Sequence, residues 1–249
     1  MTLHSEILEQ PQKIANLLAS QRQNVDRIAM EIERQGVDYV FLAARGSSDN
    51  AGRYANYLLS AMNGLPLALA TPSLFTYYQR PPRLKNALVI AISQSGQSPD
   101  IISVLDEGKK QGCLTLAITN EPDSPLAGSA DFVLDLQAGA EKAVAATKTY
   151  TTELMSIAML SSALRRDGTM WSELEKVPET MHEALKQEDF IGQAVQRYRY
   201  MDQTVVLGRG FNYATAYEWA LKLKELTYII AEPYSSADFQ PGPGVQRAG

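Results

Sequence analysis

The chain has 249 residues, of which 45% are hydrophobic and 20% charged, a composition typical of a globular protein with enough core for one large or two small domains. Its net charge of −5 and pI near 5.2 argue against broad electrostatic binding to nucleic acid or to an anionic membrane surface. One cysteine cannot form an internal disulfide, and with two histidines and no paired spacing the chain predicts no metal site. We expect neither a metal nor a cofactor.

The N-terminal region lacks the pattern of a signal peptide, because Glu6 and Glu9 lie where a basic patch should precede a hydrophobic segment. No apolar run approaches the roughly 20 residues that span a bilayer. We therefore expect a cytoplasmic protein that has no membrane or nucleic-acid partner.

Residues 1–36 predict a helical segment, in which residues 4–35 form two amphipathic helices broken near Ser20. From Val37 onward, strands and helices alternate in the pattern of a parallel α/β sheet. The predicted strands are 39–43, 66–70, 87–92, 114–118 and 132–136. The predicted helices are 48–63, 98–111, a short turn at 125–129, 147–165, 172–187 and 189–200. This order predicts a three-layer α-β-α fold with a five-stranded parallel sheet in a domain spanning residues 37–200.

A loop rich in hydroxyl groups follows the continuous apolar run at 87–92, which is typical of a strand buried on both faces. Ser98 can cap the next helix, Pro99 suits its first turn, and Asp100 favours the positive end of its dipole. Because one cap needs one hydroxyl, the remaining side chains indicate a phosphate cradle. The loop contains no Lys or Arg, so the electrostatic attraction for the phosphate must come from the helix N-terminus and the hydroxyls. This predicts a small phosphorylated metabolite as the ligand. The candidate ligands in this loop are Ser93, Gln94, Ser95, Gly96 and Ser98.

A second candidate loop, Gly46-Ser47-Ser48, follows the first predicted strand. Ligands of open α/β sheets lie beyond the carboxyl ends of the strands where the strand order reverses, so we expect this loop to converge with 93–98. The alternative for Ser47 and Ser48 is a simple helix cap. A dinucleotide site is disfavoured, because neither this loop nor Gly208-Arg-Gly210 completes the required glycine motif.

A second unit is predicted over residues 201–249. It begins with a strand at 204–208 and a helix at 213–228, an order that resembles the start of the first unit and hints at an internal duplication. One strand and one helix cannot make a domain, so the sequence predicts an incomplete second lobe.

Charged residues in two helices admit both structural and chemical interpretations. Glu218, Lys222 and Glu225 share one stripe of the 213–228 helix, either as a solvated ion-pair face or as a carboxylate base with a nearby cation. Lys148 is either a Schiff-base or phosphate-binding lysine or an exposed residue at a helix start.

Four motifs occur in order along the chain: A-R-G-S-S-D-N at 44–50, S-Q-S-G-Q-S at 93–98, V-A-A-T-K at 144–148 and A-L-K-L-K-E at 220–225. Together they resemble the SIS (sugar isomerase) family, specifically the isomerase half of glucosamine-6-phosphate synthase and the SIS-type glucosamine-6-phosphate deaminases. The resemblance covers residues 37 to 240 and implies a flavodoxin-like sheet and a homodimer with sites near subunit contacts.

The resemblance also implies roles for individual residues. By this resemblance, the phosphate is bound by Ser93, Gln94, Ser95 and Ser98. The sugar is contacted by Ser48 and by the backbone around Val144 and Ala146. By the same resemblance, Glu225 is the base that transfers a proton between C1 and C2 of the sugar, and Lys222 lies beside it in the site.

The sequence departs from the family at one position: Pro241 occupies the place of a family histidine that is implicated in opening the sugar ring.

The synthase uses an N-terminal cysteine nucleophile, whereas this sequence begins Met1-Thr2 and its cysteine is internal, so we expect no glutaminase. The loops look more like those of the deaminase-type members. We therefore predict conversion of glucosamine 6-phosphate to fructose 6-phosphate and ammonia. The alternatives are a non-catalytic module that binds phosphosugars and an inactive fragment with a structural role.

Overall fold

The computed structural model describes residues 2–239. It divides into two compact units between Ala184 and Leu185. The predicted loss of the family histidine at Pro241 lies outside the described residues.

The first unit contains the predicted five-stranded parallel sheet, with strands in the order β2-β1-β3-β4-β5. The strands are β1 (Tyr39–Ala43), β2 (Leu67–Leu69), β3 (Ala87–Ile92), β4 (Leu114–Thr119) and β5 (Phe132–Asp135). All six residues of β3 and of β4 are buried, because helices cover both faces of the sheet. The predicted fold class is confirmed.

Within residues 2–185, eight helices precede, separate or follow these strands. They are α1 (Leu3–Gln35), α2 (Ser47–Asn63), α3 (Ser73–Thr76), α4 (Pro99–Lys110), α5 (Pro125–Ser129), α6 (Lys148–Arg165), α7 (Gly168–Leu174) and α8 (Val177–Leu185). Side chains alternate across the sheet, so Val40 and Leu42 pack with α1, α2 and α6, while Phe41 and Ala43 pack with α4 and α5. The sheet is therefore the middle layer, with a hydrophobic core and a layer of helices on each of its two faces.

Helix α1 is continuous, so the predicted break near Ser20 is wrong. Its apolar stripe continues through Leu17, Val25 and Ile28, all fully buried, and this packing outweighs the weak helix propensity of one serine. The Ser20 hydroxyl donates to the Gln137 side chain at 2.8 Å. The helix ends at Gly36, which adopts the left-handed conformation at φ 63°.

The helices predicted at 172–187 and 189–200 have different bounds. Helix α7 begins earlier because Asp167 caps it, accepting a hydrogen bond from the Met170 amide. Pro178 lies in the first turn of α8, where its missing N–H costs nothing, so a new helix begins there. In place of the helix predicted at 189–200, the structure has α9 (Glu188–Ala194) and a 3₁₀ turn (Val195–Tyr198).

The second unit contains the predicted strand and helix, β6 (Gln203–Gly208) and α10 (Phe211–Thr227), and also a strand that the sequence analysis missed, β7 (Ile230–Ser235). Strand β7 pairs in parallel with β6, as β2 does with β1. It was missed because Glu232 and Pro233 interrupt its apolar pattern. A short helix, α11 (Ser236–Phe239), follows it.

The two units begin with the same local arrangement. Gly46 precedes α2 at φ 58° and ψ −130°, and Gly210 precedes α10 at φ 62° and ψ −134°. Both helices have 17 residues and lie between two parallel strands. This repetition supports the predicted internal duplication.

Over residues 2–239, no helix combines the length and the apolar character needed to cross a membrane. Nor does this part of the chain bring three or more His, Cys, Asp or Glu side chains together in a group that could hold a metal ion.

Candidate functional site

The loop at 93–98 is fixed to strand β4 by backbone hydrogen bonds. The Ser93 amide donates to the Ile118 carbonyl at 3.1 Å, and the Gln94 carbonyl accepts from the Asn120 amide at 3.1 Å. Gly96 has φ +60°, and a Cβ added there would overlap the Ser124 side chain. The loop therefore has a defined shape that only glycine permits at its centre.

The serine hydroxyl groups of this loop make few hydrogen bonds that stabilise the fold. Ser98 occupies the N-cap position of α4, but its side chain makes no capping hydrogen bond; its carbonyl accepts from the Ile101 and Ile102 amides instead. The predicted side-chain cap is therefore wrong, because the backbone of Ser98 closes the first turn of the helix. Ser95 Oγ accepts a long hydrogen bond of 3.4 Å from the Gln97 amide. These oxygens lie at the positive end of a 12-residue helix, where an anion is stabilised.

We expect Ser98→Ala to leave the free energy of unfolding almost unchanged, within about 0.5 kcal/mol, because the hydroxyl does not cap the helix. The matched comparison is Ser124→Ala, since Ser124 does cap α5 by accepting from the Ala127 amide at 3.3 Å, and its loss is expected to cost about 1 kcal/mol. Chemical denaturation of both variants measures the difference. Equal destabilisation by the two substitutions would contradict this assignment.

The loop after β1 converges with the 93–98 loop, as predicted. Strands β1 and β3 are neighbours at the point where the strand order reverses, which is where open α/β sheets bind ligands. The Arg45 guanidinium forms an ion pair with the Asp100 carboxylate in the first turn of α4. Arg45 thus brings a cation to the helix start, which the sequence argument missed because it considered the charges of one loop alone.

Gly46 holds the N-cap position of α2, so neither Ser47 nor Ser48 is the N-cap residue of this helix. The Ser48 hydroxyl instead donates to Glu153 Oε1 at 2.7 Å, and both residues are buried. The simple-cap interpretation of this loop is therefore wrong.

The segment from 141 to 148 enters helix α6. Val144 is 97% exposed, whereas Ala146 is partly buried. Glu141 Oε1 accepts from the Thr147 and Thr149 amides at 2.8 and 3.3 Å, so its charge lies at the N-terminus of α6.

Lys148 is fully buried, and its Nζ lies 2.7 Å from Glu9 Oε2 on helix α1. The prediction of an exposed lysine at a helix start is wrong, because α1 covers this position. The ion pair gives the ammonium group a structural partner, and this part of the structure offers no support for a Schiff-base role.

The family described as the SIS domain matches residues 36–163, just over half of the 249 residues. The chain belongs to the SIS family. The matched range contains both converging loops and the segment that enters α6.

Three relatives give the extent of the similarity. The glutamine–fructose-6-phosphate aminotransferase (isomerizing) of Clostridium acetobutylicum is 34% identical over 95% of this chain, which spans 41% of that relative's length. A candidate phosphosugar isomerase from Silicibacter pomeroyi is 37% identical with a TM-score of 0.89, over 96% of this chain and 72% of its own. A glucosamine-6-phosphate deaminase from Thermotoga maritima, at 22% identity and a TM-score of 0.77 over 96% of this chain and 71% of its own, shares the fold.

The second unit of this SIS protein carries the predicted acid–base residues on α10. Lys222 Nζ lies 3.3 Å from Glu218 Oε1 and 2.7 Å from Glu225 Oε2. Glu218 and Lys222 form the ion pair of the structural interpretation, but Glu218 is buried and the Lys222 side chain is 18% exposed, so the pair does not lie on a solvated face. The Glu225 side chain is 32% exposed and is thus the more accessible of the two carboxylates.

Sequence reasoning missed three acids of the first unit: Glu6 and Glu153, which are buried, and Glu141, which is partly buried. One signal was available for Glu153, which directly precedes the largely apolar stretch 154–160 of α6 and is 1% exposed. A carboxylate in such a helix needs a polar partner, which Ser48 supplies.

Proposed function

We propose that this chain binds a phosphosugar at the crevice between the loops after β1 and β3, and that it converts glucosamine 6-phosphate to fructose 6-phosphate and ammonia. The observation that carries the proposal is the 93–98 loop, whose hydroxyls gather at a helix start without serving as its cap. From the family resemblance we also propose that the active form is a cytoplasmic homodimer.

The phosphate is held by Ser93, Gln94, Ser95 and Ser98 and by the start of α4. Hydrogen bonds from hydroxyls to an anion are stronger than bonds between neutral groups, and the helix dipole adds to them. Gly96 gives the loop a turn at φ 60°, and in this proposal that turn directs these groups to one point. In this proposal Gly46, Ser47 and Ser48 face the sugar, together with the backbone of Val144 and Ala146.

The proposed chemistry is a proton transfer followed by hydrolysis. Glu225 removes the proton from C2 of the open-chain amino sugar and returns it to C1, while a proton passes from the amine nitrogen to O1. The product has an imine at C2 and a hydroxyl at C1. Water adds to C2, and ammonia leaves as the ketone of fructose 6-phosphate forms. The Lys222 ammonium donates a hydrogen bond to Glu225 Oε2 at 2.7 Å and so holds the carboxylate of the proposed base in position.

The test measures ammonia and fructose 6-phosphate released from glucosamine 6-phosphate by the unmutated protein and by Glu225→Gln. We expect the two products in equal amounts, and a loss of about 10²- to 10⁴-fold in kcat for the variant, the range for removal of a general base. Thermal stabilisation by the sugar phosphate should survive the substitution. The control is Glu232→Gln, which removes an exposed carboxylate from the same unit.

The second candidate is a module that binds phosphosugars without turnover. It is favoured by Pro241, which cannot exchange a proton at the place of the family histidine. Stabilisation of the unmutated protein by glucosamine 6-phosphate without ammonia release would establish this candidate and exclude the deaminase.

A further inference from the structure

Helix α1 supplies two carboxylates to the segment that precedes α6. Glu6 is fully buried, and its two oxygens accept hydrogen bonds from consecutive backbone amides: Oε1 from Lys142 at 2.6 Å and Oε2 from Ala143 at 3.2 Å. One helical turn further along, Glu9 pairs with Lys148 at 2.7 Å.

The Glu6 contact is specific to a carboxylate. Both of its partners are N–H donors, so the site needs two acceptor oxygens on one side chain. A glutamine at this position would retain one acceptor but would turn an NH₂ group toward the other amide. Because the side chain is fully buried, water cannot repair the mismatch.

The contacts enclose the segment between them. Glu6 fixes residues 142 and 143, while Lys148 is fixed by Glu9 and the Thr147 amide by Glu141. Val144 and Ala146 lie between these attachment points. Because residues 144–146 are held at both ends, their backbone can adopt few conformations.

We propose that Glu6 is a positioning residue for the sugar end of the site: through the Lys142 and Ala143 amides it holds the backbone at Val144 and Ala146 in the conformation that contacts the sugar. This inference rests on the proposed function, in which that backbone touches the sugar while the 93–98 loop binds the phosphate. It assigns to α1 a part in ligand recognition, although α1 precedes the segment matched by the SIS family.

The test compares the dissociation constants of glucosamine 6-phosphate and of inorganic phosphate for the unmutated protein, Glu6→Gln and Glu31→Gln, measured by calorimetry well below the unfolding temperature. Glu31 is the matched control, since it lies on the same helix and its partners Arg34 and Gln35 are surface residues of α1. We expect Glu6→Gln to weaken glucosamine 6-phosphate about tenfold and to change the inorganic phosphate constant less than twofold. Glu31→Gln should change neither.

Equal weakening of both ligands by Glu6→Gln, or no weakening of either, overturns the role of Glu6 and leaves the proposed function standing. If the unmutated protein binds neither ligand, the proposed function fails, and the role of Glu6 fails with it.

Amide hydrogen exchange of the unmutated protein tests the same contacts without any variant. The Lys142 and Ala143 amides should exchange at least tenfold more slowly than the Val144 amide, after correction for intrinsic rates. Equal exchange at the three positions would mean that Glu6 does not hold this segment in solution and would overturn the proposal.

Discussion

Gly96→Ala is expected to weaken phosphosugar binding strongly and to destabilise the first unit. An alanine at φ +60° costs about 1–2 kcal/mol in backbone conformation alone. Its Cβ would also overlap the Ser124 side chain and lie 3.2 Å from Thr119 Oγ1, so the loop or helix α5 must shift. Overpacking of this kind costs a further 1–3 kcal/mol, roughly, and brings the expected loss of unfolding free energy to about 3 kcal/mol. Because the shift displaces Ser95 and Ser98, we expect the dissociation constant to rise by roughly 100-fold or more.

The matched control is Gly112→Ala. Gly112 also has a positive φ, of 77°, but an added Cβ there meets no atom within 4 Å. Its substitution should show the backbone cost, about 1 kcal/mol, without loss of ligand affinity. Denaturation curves and ligand titrations of the two variants separate conformational strain from the steric clash. If Gly96→Ala matched Gly112→Ala in both measurements, the proposed shape of the cradle would be wrong.

The second large effect is expected at the ion pair of Lys148 and Glu9, where replacing either partner should lower the free energy of unfolding by a different amount. Glu9→Gln removes a carboxylate that pairs with a fully buried ammonium group, and the loss of one partner of such a pair costs about 3–5 kcal/mol. Lys148→Met should cost less, about 1 kcal/mol, since methionine fills similar space and the Glu9 side chain, 32% exposed, can be hydrated. Chemical denaturation at neutral pH measures both values.

The pH dependence of the Glu9→Gln effect has a defined sign. The hydrogen bond from Lys148 holds the pKa of Glu9 below its ordinary value of 4.5. A carboxyl whose pKa is lowered in the folded state stabilises the protein above its unfolded pKa, and that contribution is lost as the pH falls through the folded value. The unmutated protein and Glu9→Gln should therefore differ fully above about pH 4.5 and converge in stability below it. A difference that persisted at lower pH would contradict this account.

The sheet could be predicted from the sequence because buried parallel strands appear as uninterrupted apolar runs. Strands β1 and β3 have the predicted bounds, and β4 and β5 differ from prediction by one residue at one end. The same logic placed the 93–98 loop beside the loop after β1, since the carboxyl ends of neighbouring parallel strands meet at one edge. It failed for β7, where Glu232 and Pro233 obscure the pattern.

The supporting acids could not be predicted, because their partners are distant in sequence. Glu6 meets the Lys142 and Ala143 amides, and Ser48 meets Glu153 across 105 positions. A local pattern shows that a residue is polar, but not which backbone amide or side chain it will meet. Lys148 shows the consequence, since a lysine at a helix start is exposed unless another element, here α1, covers it.

The central claim, that the 93–98 loop binds the phosphate of a sugar phosphate, is tested most directly by titration calorimetry of the unmutated protein and Ser95→Ala with glucosamine 6-phosphate and with glucosamine. The control is Ser103→Ala on helix α4, since the Ser103 hydroxyl is partly buried and donates to the Asp100 carbonyl. The account predicts saturable binding of the phosphorylated sugar and none of glucosamine. A hydrogen bond to a charged group contributes about 1.5–3 kcal/mol, so Ser95→Ala should raise the dissociation constant by roughly 10- to 150-fold. Full affinity in Ser95→Ala, or equal affinity for glucosamine, would contradict it.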